Sequence, residues 1–439
     1  MSKRSIGFWS ATSIVVANMI GTGVFTSLGY QIIDIHVGFP ILMLWVIGGF
    51  VALLGAISYA ELACRLPEDG GEFYFLSKIF HPSVGYMAGF ASSTVGFTAP
   101  VAGAALALGA YLKGVFPWVS PKEIAAAIIV VITAIHAWNA DYGLWFQKVS
   151  TALKVTIILI FIVFGLSAIS SLPSPTFDGV SINSRYGLTD IWDGFWFAPA
   201  FSVGLVWVSF AYSGWNASSY FAGSVKNPQK TLTRSIILGT VFVTILYVLL
   251  NYVFMNSTDW ENLVFKKEVG LIAAQSLFGL KWGKIMGGII SILLVSTISS
   301  MVFTGPRVLK SMAEKMGVFQ SLSKVNNSNS PSNALIFQGI LSIVFLYTLS
   351  FESLIYYVAF TLSLFTLLTV VGMMKLRITD GKPTTYKAWG YPVTPIIFIT
   401  ITALVAWYFI MEHPTESLIG IITSLSGLLF YFFAKNKNV

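Results

Sequence analysis

The chain has 439 residues, of which 56% are hydrophobic and only 10% charged; soluble domains carry about a quarter charged residues, so this composition falls outside their class. Its net charge of +8 at pH 7 would suit a polyanion, but the charges are spread between apolar runs instead of forming a patch. Nucleic acid is therefore not the expected partner.

Cutting the chain at its charged residues leaves twelve long uncharged runs: 5–33, 35–60, 79–112, 124–140, 155–177, 194–225, 235–258, 285–306, 325–351, 353–374, 388–411 and 417–434. Each is close to or above the roughly 20 residues a helix needs to cross a bilayer. Helices satisfy their own backbone hydrogen bonds in lipid, and the ten-residue alternation of a transmembrane barrel is absent. The expectation is an all-α integral membrane protein of 12 transmembrane helices, spans 1 to 12. With both ends on one side, the loops there hold 18 of the 26 Lys and Arg, the opposite loops hold seven, and Lys154 lies within a span. That excess predicts cytoplasmic termini. Cys64 is the only cysteine, which excludes an intrachain disulfide and a thiol metal site. The first run is too long for a removable signal peptide and is expected to be a permanent span.

Span 1 contains "VANMIGTGVFTS", with Gly21 and Gly23 flanking Thr22. Glycine costs about 1 kcal/mol in a helix relative to alanine. Small residues also let membrane helices pack closely, but packing favours a spacing of four, not two. A break here would free backbone N–H groups suited to a carboxylate and leave carbonyls such as that of Ile20 to accept from an ammonium. A phosphate loop is excluded: the third glycine and the Gly-Lys-Ser/Thr pattern are missing, and the stretch lies inside an apolar run.

After span 2, "ELACRLPEDGGEFYF" predicts a tight turn and a short helix along the membrane surface. Its Glu61, Arg65, Asp69 and Glu72 can form a gate network or a solvated loop face. In span 5, Lys154 follows Lys148 by about two turns and precedes a long apolar run. An ionisable residue there is a functional candidate, although its stem also permits snorkelling to the interface. Facing inward, its ammonium can stand where a sodium ion would sit, or exchange a proton and couple transport to protons. Ser299 and Ser300 of "STISSM" in span 8 are the hydroxyls expected to receive it.

Span 6 contains "VSFAYSGWNAS", with Ser213, Gly214 and Asn216 at mid-depth. Interrupted helices at matching positions of two halves point to a transporter's central site. Phe210, Ala211 and Ser213 can offer carbonyls to an ammonium, Phe210 can cover the site as a gate or be an ordinary packing aromatic, and Asn216 can brace the break or touch substrate. The four histidines lack ligand spacing, so no metal is expected. Nor does a Ser/His/Asp or Cys/His set mark an enzyme, and no cofactor is expected.

These residues resemble the amino acid-polyamine-organocation (APC) superfamily, and within it the L-type and bacterial alanine-serine-cysteine exchangers. The matching stretches are "MIGTGVF", "SYAELACRLPEDGGEFYFLSKIF", "QKVSTALKV", "SFAYSGWNASSYFAGSVKNPQKTLTRSI" and "FTGPRVLKSMAEKMG". The resemblance implies one transporter domain over 1–439 of the leucine-transporter type: a 5+5 inverted repeat with discontinuous helices 1 and 6, repeats at about 5–171 and 194–375, and peripheral helices 11 and 12 at about 393–434. It implies that Ile20, Gly21, Thr22, Gly23, Phe210, Ala211, Ser213 and Asn216 bind substrate, with the amides of Thr22 and Gly23 on the carboxylate. Lys154 would fill the sodium position of sodium-dependent members. Asn216 replaces the glutamate of acid-resistance antiporters, which disfavours arginine/agmatine exchange. Thr22 stands where many members have serine, and Gly305-Pro306 replaces a small polar pair. Ser92, Ser93 and Thr94 can line the pocket, and the absence of an evident carboxylate favours a small or medium neutral amino acid. The implied function is a sodium-independent amino acid transporter of the plasma membrane, a bacterial inner membrane, acting as proton symporter or exchanger. The alternatives are a cationic amino acid or polyamine carrier and a transport-inactive amino acid sensor.

Overall fold

Ten of the twelve apolar runs form helical stretches of 18 residues or more that are long and apolar enough to cross a membrane, from Phe8–Thr26 to Pro414–Phe432. The other two give the shorter helices Pro199–Tyr212 and Ser332–Thr348. A further short apolar helix, Val269–Phe278, lies in a connection. The computed structural model describes residues 6–170, 199–314, 320–328 and 330–435; the connection 172–193 and the expected start of the second repeat near 194 lie outside them. Among the described residues no strand forms beyond two isolated bridges, Ile6 with Val225 and Asp69 with Phe221.

The helices divide into a centre and a rim. About three-quarters of the Phe8–Thr26 and Pro82–Val115 stretches are buried, against 28% for Pro121–Trp138 and 22% for Pro414–Phe432. Large apolar side chains such as Val163, Phe164, Ile340 and Trp407 are more than half exposed on the rim helices. So much apolar surface is stable only against lipid. At the centre, Gly38–Arg65 runs along Pro228–Met255, and Thr98–Val115 along Leu280–Ala313.

Two central elements lose their helical ladder. Phe8–Met19 ends at Ile20, and helix resumes only at Gly23–Thr26. Pro199–Tyr212 gives way to the turn 213–216 and then to the 3-10 turn Ala217–Tyr220. A third irregularity is the π-helical turn Ser92–Gly96, where the Phe97 N–H donates to the Ser92 carbonyl five residues back at 3.0 Å and Thr98 Oγ1 donates to the Ser93 carbonyl at 2.6 Å. Leu280–Ala313 continues through Pro306, so the Gly305-Pro306 pair does not end it.

Candidate functional site

The two breaks meet. A Cβ on Gly23 would lie 2.5 Å from the Ala211 Cα, and one on Gly214 would lie 2.8 Å from the Asn18 Cβ. Glycine is thus required at each break by the other helix, and Gly214 additionally adopts φ 97°, a conformation that side chains disfavour. Tyr247, from Pro228–Met255, joins the two: its hydroxyl lies against the carbonyls of both Met19 and Ala211. At the first break, the opening N–H groups of Gly23–Thr26 stand outside the preceding helical ladder.

Lys154, on Ala140–Ile169, reaches this point. It is fully buried, and its Nζ donates to the Ile20 carbonyl at 2.7 Å and to Thr297 Oγ1 at 2.9 Å. Thr297 in turn donates to Ile20. No carboxylate pairs with Lys154 among the described residues. Snorkelling is therefore not its arrangement here. The expected hydroxyls differ as well: Ser299 Oγ meets His136 Nε2 at 2.8 Å, and Ser300 Oγ is buried with no hydrogen-bond partner among the described residues. Successive helical residues turn by about 100°, so a lysine facing Thr297 cannot also face Ser299.

A cavity of about 110 Å³ adjoins the second break. It is lined by Asn18, Tyr212, Ser213, Gly214, Asn216 and Glu72, among others. Of the expected substrate residues, Ser213 and Asn216 are on its wall. Ile20, Gly21, Thr22, Gly23, Phe210 and Ala211 are buried and do not line it. Several of their carbonyls are engaged: Ile20 by Lys154 and Thr297, Phe210 by the Ser213 N–H, and Ala211 by Tyr247. Ser93 and Thr94 turn their hydroxyls to the Phe90 carbonyl, leaving Gly96 and Phe97 at the cavity.

The polar loop after span 2 separates into three contacts. Glu61, fully buried, accepts from Arg377 Nε at 2.7 Å and Arg377 Nη2, from the Ala388 N–H at 2.8 Å, and faces Arg65 at 3.3 Å. Asp69 accepts from the Gly223 and Ser224 N–H groups and the Ser224 hydroxyl. Glu72 turns inward: Tyr59 Oη donates to its Oε1 at 2.6 Å, Asn216 Nδ2 to the same oxygen at 3.1 Å, and Ser92 Oγ to Oε2 at 3.4 Å. Burial pushes the Glu72 carboxyl up to about 7 against the pull of these donors. The cavity thus has a carboxylate, Glu72, where the sequence predicts none, because "GGEFYF" has the composition of a solvated turn.

Thr297, Tyr247 and Tyr59 were likewise missed. Thr297 lies inside the "STISSM" stretch and could have been found by asking which hydroxyl shares a helical face. The two tyrosines carry no local signal, since each acts across helices distant in sequence.

The family model described as amino acid permease matches residues 6–431. The b(0,+)-type amino acid transporter 1 of Mus musculus is 27% identical, over 98% of this chain and 88% of that protein. The large neutral amino acids transporter small subunit 2 of Homo sapiens is also 27% identical, over 98% and 80%. The serine/threonine exchanger SteT of Bacillus subtilis is 25% identical, over 99% and 98%. The relatives are amino acid transporters and exchangers, and with nearly its whole length matched, this multi-pass membrane chain belongs to the amino acid permease family of the APC superfamily.

Proposed function

We propose that the chain is a sodium-independent secondary transporter that moves small or medium neutral amino acids across the plasma membrane by alternating access, as a proton symporter or exchanger. Its twelve spans form a 5+5 inverted repeat over about 5–171 and 194–375, with helices 11 and 12 at about 393–434 outside it and both termini cytoplasmic. The substrate carboxylate docks on the amides of Thr22 and Gly23 at the helical restart. Its ammonium takes the carbonyls of Ile20, Phe210, Ala211 and Ser213, and Asn216 completes the contact.

The observation that carries this reading is the 2.7 Å bond from Lys154 Nζ to the Ile20 carbonyl. A fixed ammonium and the substrate's own ammonium then compete for one acceptor at the break. Binding substrate displaces Lys154, and the displaced lysine either keeps its proton or gives it up. Such a linkage couples two sites through one shared contact.

The test is uptake into proteoliposomes of a panel of labelled amino acids, with and without a pH gradient and an internal amino acid load. Symport responds to the gradient, exchange to the load, and a sensor binds without flux. Lys154→Ala is expected to abolish or uncouple net uptake in a folded protein, and pH-independent uptake at the wild-type rate in that variant would remove the coupling role. A second reading, a carrier for cationic amino acids, is favoured by the Glu72 carboxylate on the cavity wall; the same panel decides it.

A further inference from the structure

Glu72 has no assigned task in that scheme, yet its setting is unusual. The residue before it, Gly71, adopts φ 55° and lies so close to Tyr220 that a Cβ there would meet the ring at 2.5 Å. The side chain is 1% exposed and forms part of the cavity wall. Its partners come from three separate elements: Tyr59 on Gly38–Arg65, Ser92 at the π-helical turn, and Asn216 in the turn that breaks the Pro199–Tyr212 helix.

All three are neutral donors. Tyr220, on the 3-10 turn, is the other titratable group facing Glu72 besides Tyr59. On the neighbouring elements, Asp69 is tied to Gly223 and Ser224, Tyr86 packs on Phe73, and Lys375 of Phe351–Thr379 donates to the Ile79 carbonyl at the far end of the Glu72–Ile79 helix. No cation pairs with Glu72 among the described residues. A buried carboxylate without a cation is stable only if hydrogen bonds or a proton compensate for the lost water.

We infer that Glu72 is a proton-binding site of the cavity, and that loading it releases the turn 213–216 from the inner-loop helix. In the charged state Glu72 accepts all three donors. A hydronium ion reaching the cavity transfers its proton to Oε2, where the 3.4 Å Ser92 contact is the longest of the three. An O–H bond forms on the carboxyl as one breaks on the hydronium, the negative charge is neutralised and a water molecule is left. The new hydroxyl donates to Ser92 Oγ or to cavity water. The Asn216 bond then loses its charge assistance, which accounts for roughly half the strength of such contacts. Asn216 is thereby freed to turn toward the cavity beside Ser213. Burial holding the carboxyl at about 7 places the exchange in the neutral range. The consequence for flux rests on the transport reading; the proton site does not.

Two arms keep these apart. Infrared difference titration of the full-length protein in lipid nanodiscs should show a protonated-carboxyl band that disappears as pH rises through about 7 and is missing in Glu72→Gln. Tyr59→Phe, which keeps the carboxyl and removes one donor, should move the midpoint upward. In proteoliposomes with equal pH on both sides, amino acid counterflow should change severalfold across the same midpoint in wild type and become pH-insensitive in Glu72→Gln. A wild type without the band, a band retained in Glu72→Gln, or an unmoved midpoint in Tyr59→Phe overturns the proton site. Wild-type pH dependence of counterflow in Glu72→Gln overturns its role in the cycle. If wild type carries none of the amino acids, the transport reading falls alone and the infrared arm still decides the proton site.

Discussion

Glu61 and Glu72 stand eleven residues apart, one near the end of Gly38–Arg65 and one at the start of Glu72–Ile79, and both are buried, at 0% and 1% exposure. Glu61 is met by two guanidinium groups, Arg377 and Arg65, and by a backbone N–H. Glu72 is met by a phenol, an amide and a hydroxyl. The paired carboxylate is a structural tie between Gly38–Arg65 and the end of Phe351–Thr379. The unpaired one, facing a cavity, keeps access to a proton. Burial alone does not decide whether a charge is a brace or a site; the source of the compensating charge does.

The largest expected effect tests the brace. Glu61→Gln removes the anion shared by two partly buried guanidinium groups and should destabilise the protein by about 1–3 kcal/mol, seen as a lowered thermal midpoint in detergent. A change below about 0.5 kcal/mol, the range of ordinary surface substitutions, would mean the cluster is solvated.

The next contrast is in pH. Because the native Glu72 carboxyl is raised from 4.5 to about 7, the folded protein holds this proton where the unfolded chain has released it. Its contribution to stability is therefore full below about 4.5 and is lost as pH rises to about 7. Thermal midpoints across that window should decline more steeply in wild type than in Glu72→Gln; equal slopes would break the comparison.

Smaller shifts sharpen it. Asn216→Ala removes a donor that favours the charged form, so the Glu72 midpoint should rise by about one pH unit, the equivalent of one hydrogen bond to a charged group. Ser92→Ala removes the longest contact and should raise it by no more than a few tenths of a unit. Infrared titration reads both, and the reverse ranking would show that Ser92 is the stronger donor.

Much of the candidate site was legible. Gly21 and Gly23 stood out because glycine pairs are costly in a helix, and Lys154 because one charge interrupts a long apolar stretch. The match of the second break to the first followed from Ser213, Gly214 and Asn216 in an otherwise apolar run. What escaped was identity of partner. Residue type alone points Lys154 to Ser299 and Ser300, whereas Thr297 receives it because the rotation of Leu280–Ala313 turns that residue toward Ile20.

By itself, then, the sequence determined that the chain crosses a membrane as helices, where two of them are interrupted, and that a lysine lies within the apolar region. These follow from local chemistry: hydropathy over about 20 residues, backbone freedom at glycine, and the cost of a charge away from water. Only the tertiary structure decided that Tyr247 bridges both breaks, that Thr297 shares the Ile20 carbonyl, and that Glu72 leaves its polar loop for the cavity wall. Those contacts join residues from distant parts of the chain, and whether a polar group meets water, a cation or a cavity is fixed by how the helices dock.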